Sequence, residues 1–333
     1  MSFLVAGKWH SEDEYGNKRV TLGEFKRQAS KFRDWVYADK AQADACGSKF
    51  FAEANRYHLF VSLACPWAHR TLIFRAIKHL ENVITITIVD PKMLEHGWVF
   101  NDEISHNNPV ENTRYLYEIY TRANADYSGK VTVPVLWDKK YQTIVNNESA
   151  EVIRILNSSF NNFTEVNDDY YPKNLQQAID DVNERVYNTV NNGVYRAGFA
   201  TTQAAYNRAF DALFETMDWL EARLSKQRYL VGDQITEADW RLFTTLIRFD
   251  AVYYNHFKTN KKRLIDYDHL SNYIRELFQY PKVADSVNFD HIKTHYYYSH
   301  TRINPTQIIP KGPVLNFTQP HNRALLFQRK KDR

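Results

Sequence analysis

The hydrophobic pattern of this 333-residue chain changes period once, near residue 170, and that change limits the fold more than any other feature. Before it, short apolar runs alternate with helical segments. After it, only the 3.6-residue period of helices remains. Residues 57–63 read as a short apolar strand. Residues 67–80 place Leu72, Ile73, Ala76, Ile77 and Leu80 on one helical face, and 83–89 follow with alternating β-branched residues. A β-α-β unit of this kind has parallel strands and a right-handed crossover. Residues 131–137 and 141–145 then read as a hairpin, and 149–156 as a helix with Val152, Ile153, Ile155 and Leu156 apolar. The order β-α-β, loop, β-β-α is that of a thioredoxin-like layer. Residues 90–128 show no clear long element. Pro91, Gly97, Asn107, Asn108 and Pro109 punctuate them, and loops of this length are as a rule functional or disordered.

Past the polar link 157–169, the stretches 175–190, 202–224, 237–254 and 270–277 carry helical periodicity with no strand pattern between them. One start is legible to the residue. Thr236-Glu237-Ala238-Asp239 is a capping box with Asp in the Glu/Gln place, and Ile235 and Trp240 occupy the staple positions. The expected fold is an α/β thioredoxin-like N-terminal domain followed by an all-α C-terminal domain. Its parts are an extension over 1–50 that wraps the main body, a thioredoxin-like domain over 51–160, a helical domain over 170–313 and a tail over 314–333. Within the extension only 22–35 hint at strand or helix periodicity. The basic end Arg329, Lys330, Lys331, Asp332, Arg333 is expected to be a solvated terminus.

Composition removes several function classes. Lys and Arg exceed Asp and Glu by 43 − 39 = 4, too small and dispersed an excess for a nucleic-acid footprint. The longest apolar runs fall well short of the ~20 residues that span a bilayer. The opening MSFLVAGKWHSEDEYG has no basic start followed by a long apolar segment, so a soluble cytoplasmic protein is expected, without a membrane partner. Two cysteines make no disulfide framework, which fits a reducing compartment. The unusual figure is 15% aromatic residues, with 22 Tyr and 20 Phe. Tyrosine can both stack on a ring-shaped ligand and hydrogen-bond to it.

Cys65-Pro66-Trp67-Ala68 lies where the first strand ends and its helix begins. Proline suits the first helical position, which puts Cys65 at the N-cap, facing unbonded N–H groups and the positive end of the helix dipole. That setting favours the nucleophilic thiolate, whose pKa is expected below the free-thiol value of about 8.5. Ala68 stands where a dithiol motif has its second Cys, so a mixed disulfide on Cys65 must be resolved by an external thiol, for which glutathione is the usual intracellular candidate. Cys46, in the irregular extension, reads as an incidental small residue. Metal binding is not expected, because His69 lies four residues on without further ligands at site-like spacing. His69 and Arg70 are expected to face solvent or the domain interface.

Two further signals accompany Cys65. In Thr132-Val133-Pro134-Val135 a proline heads into a strand-like segment, marking an edge, a strand start or a cis turn. In Asn147-Glu148-Ser149, Ser149 and the N–H groups of a helix start can bind a carboxylate while Glu148 pairs with an ammonium; plain N-capping accounts for the same residues equally well. Together they describe a thiolate, a strand-edge backbone and a receptor for an α-amino acid.

These features resemble a cysteine-dependent glutathione transferase. The strings Ser62-Leu63-Ala64-Cys65-Pro66-Trp67-Ala68-His69-Arg70, Glu95-His96-Gly97-Trp98, Thr132-Val133-Pro134-Val135-Leu136-Trp137-Asp138, Asn146-Asn147-Glu148-Ser149, Asn192-Gly193-Val194-Tyr195-Arg196-Ala197-Gly198-Phe199-Ala200 and Ile303-Asn304-Pro305-Thr306 are similar to those of the xi class, the glutathionyl-hydroquinone reductases, over about 50–313. The resemblance implies the glutathione transferase fold and a glutathione-dependent reduction of glutathionyl-hydroquinones to hydroquinones. Cys65 would attack the glutathionyl sulfur, and a second glutathione would resolve the mixed disulfide. It places glutathione at Trp98, Val133, Glu148 and Ser149 and at Lys130, where relatives are expected to carry Arg and its planar fork. It places the aromatic substrate at Tyr195 and at Tyr296 or Tyr297. It also implies a homodimer formed through the C-terminal domain.

Other readings share parts of this pattern. An omega-like thiol transferase or dehydroascorbate reductase has the same N-cap Cys, but the insertion carrying Trp98 and the 303–306 stretch argue against it. A non-catalytic binding module would need no activated thiol. The Tyr and His cluster at 295–300 could, by composition alone, be an amphipathic cover over a helical core.

Overall fold

The computed structural model describes residues 3–10 and 22–331, with side chains up to residue 328. These residues fall into two compact units. The first holds 3–10, 28–168 and 286–307; the second holds 22–27, 169–285 and 308–331.

The first unit is built on a four-stranded sheet of order β4-β3-β6-β7, from β3 (Tyr57–Val61), β4 (Thr85–Ile88), β6 (Val135–Asp138) and β7 (Thr143–Asn146). β3 and β4 are parallel, as the crossover helix Pro66–Ile77 between them requires; β6 pairs antiparallel with β3 and with β7. β3 is central and buried along its length, which explains its largely apolar sequence. Its polar member, His58, is held between the Thr85 and Thr87 hydroxyls at 2.7 and 2.9 Å, and burial pushes its imidazole down to about 3. The helix Ser149–Ser158 packs beside Pro66–Ile77.

Four stretches of the chain differ from the sequence reading. The stretch 90–128 contains the helix Leu116–Ala123, whose Leu116, Ile119 and Tyr120 are buried. A second, small sheet of order β2-β1-β5 joins β1 (Phe3–Val5) and β2 (Lys8–His10) to β5 (Gly129–Lys130). Residues 22–35 are not helical: Arg33 bridges Asn146, and the Asp34 N–H donates to the Val145 carbonyl at 3.0 Å. These backbone groups complete the open side of β7, an option that local periodicity does not reveal. Finally, the helix Phe289–Ser299, expected within the helical domain, belongs to the first unit.

In the second unit every regular element among the described residues is helical, chiefly Gln176–Val186, Gly193–Gly198, Gln203–Leu224, Glu237–Leu246 and Asp268–Phe278. The expected 175–190 and 237–254 stretches end in π-turns, Tyr187–Asn191 and Phe249–Tyr253. The capping box forms as read. Asp239 accepts from the Thr236 N–H and hydroxyl at 2.8 and 3.2 Å and, with its other oxygen, from the Leu230 N–H at 2.9 Å and the Tyr273 hydroxyl at 2.7 Å. The expected tail over 314–333 holds one regular element among its described residues. It ends in the helix Arg323–Lys331, where Arg323 is fully buried, donating to the carbonyls of Leu224, Gln227 and Arg228 and pairing with Glu276 at 3.2 Å. The side chains of Arg329, Lys330 and Lys331, and all of Asp332 and Arg333, lie outside the described residues.

Candidate active site

Cys65 has extended backbone, φ −77° and ψ 123°, and caps the helix Pro66–Ile77 with Pro66 just inside its start. Its side chain makes no capping hydrogen bond. The thiol is half-buried and donates to the Val133 carbonyl, 3.7 Å from Sγ. Ala68, where a dithiol motif has its second sulfur, is buried; Cys46 is an exposed free thiol closing the helix Lys40–Ala45.

The Val133–Pro134 bond is cis, and Pro134 directly precedes β6, so of the three expected settings the strand start and the cis turn apply. β6 lies inside the sheet, not at its edge. Glu148 caps the helix Ser149–Ser158, accepting from the Ala150 N–H at 3.2 Å and from the Ser30 hydroxyl at 3.1 Å. The capping role is therefore real, and the carboxylate sits at the helix start the motif indicated.

Of the two settings expected for His69 and Arg70, solvent is excluded: both are buried, at 0% and 1% exposure. Each is held by partners, which is what makes burial of a polar group tolerable. His69 Nε2 bonds the Ser286 hydroxyl at 2.8 Å. The Arg70 guanidinium lies 4.5 Å over the Trp67 ring and donates to the Ser149 hydroxyl at 3.4 Å. Arg70 thus ties the helix that Cys65 caps to the start of the helix that Glu148 caps.

Sequence reasoning missed Tyr120. Its buried hydroxyl donates to the Thr132 carbonyl at 2.8 Å and accepts from the Thr132 N–H and from Asn147 Nδ2, at 3.2 and 3.0 Å. One phenol thereby sets the turn before Val133 and the turn before Glu148. Burial raises its pKa, so it stays protonated in that role. The Leu116, Ile119, Tyr120 spacing was the available signal.

Trp98 is buried and stacks on His295, ring centroids 4.8 Å apart. The turn before it needs Gly97, which has φ +67° and whose Cβ would lie 2.7 Å from the Trp9 ring. Trp9 also donates to the Glu95 carbonyl at 2.9 Å, so the small sheet braces this turn. Lys130 is half-buried in β5, opposite Phe3. Tyr296 and Tyr297 are buried on the helix Phe289–Ser299, and so stand in the same unit as Cys65. Tyr195 belongs to the second unit, where Phe25, Phe199, Tyr253 and Phe257 surround its ring and the Arg27 guanidinium lies 4.9 Å over it. Among the described residues there is no group of three or more His, Cys, Asp or Glu placed to hold a metal ion, and no helix long and apolar enough to cross a membrane.

Two families match the chain: "Glutathione S-transferase, N-terminal domain" over residues 64–159 and "Glutathione S-transferase, C-terminal domain" over 203–276. The chain is 50% identical to the glutathionyl-hydroquinone reductase YqjG of Escherichia coli (strain K12), over 98% of this chain and 100% of the relative. The solved glutathione-bound structure of YqjG superposes with a TM-score of 0.88 at 48% identity, covering 97% of this chain and 99% of the other. A xi-class glutathione transferase from Natrialba magadii superposes with a TM-score of 0.91 at 44% identity, covering 98% of both chains.

Proposed function

Because the chain belongs to the xi-class glutathione transferases, the glutathionyl-hydroquinone reductases, we propose that it reduces glutathionyl-hydroquinones through Cys65. The observation that carries this reading is the half-buried thiol at an uncapped helix start, 3.7 Å from the Val133 carbonyl and without a second thiol at Ala68. The Cys65 thiolate attacks the sulfur of the aryl thioether. The S–S bond of a Cys65–glutathione disulfide forms, the C–S bond breaks, and its electron pair passes to the ring carbon, which takes a proton and leaves as the hydroquinone. The sulfurs are oxidised and the ring carbon is reduced. A second glutathione thiolate attacks the mixed disulfide, releasing glutathione disulfide and restoring Cys65, so one conjugate and one glutathione give one hydroquinone and one disulfide.

Glu148 would pair with the glutathione α-ammonium, and Ser149 with the N–H groups at its helix start would receive the α-carboxylate. Val133 offers backbone to the peptide, and Trp98 and Lys130 complete the glutathione site. Tyr195 and the Tyr296–Tyr297 pair would hold the aromatic ring, where a phenol hydroxyl donates toward charge developing on the leaving hydroquinone. The working protein is a cytoplasmic homodimer in this reading.

A turnover panel tests it. Glutathionyl-hydroquinone should be reduced faster than dehydroascorbate or an alkyl-halide conjugation substrate; preference for dehydroascorbate would move the chain to an omega-like activity. Mass spectrometry after exposure to oxidised glutathione should show one adduct, at Cys65, and Cys46→Ser should turn over at the parent rate. No adduct at Cys65 would support a non-catalytic binding module.

A further inference from the structure

His295 touches both halves of the site just assigned, and nothing in that assignment uses it. Its ring is 7% exposed and stacks nearly parallel on Trp98, with an interplanar angle of 22°. Since a carbonyl can only accept, Nδ1 carries the proton and donates to the Pro91 carbonyl at 3.0 Å. One turn along the same helix face, the Ser299 hydroxyl donates to the same carbonyl at 3.3 Å and accepts from the Met93 N–H at 2.9 Å. The other edge of His295 meets Tyr296, centroids 5.3 Å apart at 79°, and Tyr296 is flanked in turn by His300 at 5.3 Å and 86°. The segment from Pro91 to Trp98 and the helix carrying Tyr296 are therefore joined through the His295 imidazole and the Ser299 hydroxyl, and of the two only the imidazole also stacks on Trp98.

We propose that His295 is a positioning residue for the reaction: its stack orients Trp98 against glutathione, and its Nδ1–H bond to Pro91 fixes the helix that presents Tyr296 to the aromatic ring. This rests on the reading of Trp98 and Tyr296 given above. The two functions are separable chemically. A phenylalanine keeps a flat ring for Trp98 but has no donor for Pro91, whereas an asparagine places an N–H near the Nδ1 position and has no ring to stack.

The test is steady-state kinetics of full-length His295→Phe, His295→Asn and His295→Ala, with glutathionyl-hydroquinone and with a small aliphatic glutathione mixed disulfide. His295→Asn should raise KM for glutathione by about fivefold or more on both substrates and shift the tryptophan fluorescence response to glutathione. His295→Phe should leave KM for glutathione within twofold and lower kcat by about fivefold or more on the hydroquinone conjugate alone. His295→Ala should show both losses. Equal losses in all parameters for the three variants, in proportion to lowered melting temperature, would make His295 a fold residue and overturn the proposal, as would parent-like kinetics in all three. Trp98→Ala and Tyr296→Phe run alongside separate this from the underlying reading: if those two leave turnover unchanged, the site assignment itself is wrong, whereas losses there with a silent His295 refute only the positioning role.

Discussion

Two helix starts, one in each unit, show how a single local feature can serve opposite ends. At Thr236 the start closes on itself: Asp239 gathers four hydrogen bonds from Thr236, Leu230 and Tyr273, and the whole group is buried. At Cys65 the first turn is left without a side-chain cap, and the capping residue is a half-buried thiol. A closed start satisfies its own N–H groups and adds stability, commonly about 1 kcal/mol for the cap alone. The start at Cys65 has no such side-chain cap and presents a thiol in its place. Glu148 lies between the two, capping its helix while keeping a carboxylate at a half-buried surface.

The sharpest way to break this contrast is to exchange the chemistry at each start. Cys65→Ser should abolish reductase turnover, assayed with glutathionyl-hydroquinone, and leave the melting temperature within a degree or two of the parent, about the effect of a small change at a site with no capping bond. Asp239→Ala should do the reverse. It strands the Leu230 and Thr236 N–H groups and the Tyr273 hydroxyl in a buried site and should cost about 3 kcal/mol or more in chemical denaturation, while the remaining folded fraction keeps its turnover per molecule. A loss of turnover per folded molecule in Asp239→Ala would mean the closed start also reaches the chemistry. Glu148→Ala should weaken glutathione binding by ~1–3 kcal/mol in calorimetry, the scale of one charge-assisted hydrogen bond. Unchanged affinity would leave Glu148 an ordinary cap.

The smallest effect concerns acid. His58 in the first unit is held by burial at about 3, below its ordinary 6.5. The unfolded imidazole therefore binds a proton first, and the stability this neutral ring contributes is present above pH 6.5 and lost as pH falls toward 3. Asp239 in the second unit is shifted the other way, raised by burial despite its hydrogen bonds. Its folded form takes up a proton before the unfolded form does, so acid favours it. Between pH 7 and pH 5, hydrogen exchange corrected for intrinsic rate should show β3 and β4 losing protection relative to residues 230–246. Parallel loss in both would show that neither group governs its unit.

The closed start was readable in the sequence because the residues that signal it lie within six positions, from Ile235 to Trp240. The same holds for the β-α-β unit and the β6–β7 hairpin, where short-range alternation carries the information. What escaped depends on partners distant in the chain. The helix Leu116–Ala123 is short and flanked by turn residues, and Tyr120 acquires its role only from Thr132 and Asn147. Arg33 and Asp34 take their extended form from the backbone of β7. The burial of His69 and Arg70 becomes intelligible only once Ser286, Trp67 and Ser149 are placed around them. Of the candidate site, Cys65, Val133, Glu148 and Ser149 were visible as local chemistry, whereas Trp98, Lys130 and the tyrosines were legible only through family resemblance.

The burial of Arg323 bears on how the protein is made. Its side chain fills a socket of carbonyls at Leu224, Gln227 and Arg228, the first of which lies 99 residues earlier in the chain. On a ribosome, the helices around that socket emerge and begin to pack while the arginine that completes it has yet to be synthesised. Through that interval the three carbonyls lack the arginine donors that satisfy them in the finished fold, while the Glu276 carboxylate already has Arg228 and Tyr229 as partners, so the second unit completes this set of hydrogen bonds only after residue 323 has emerged.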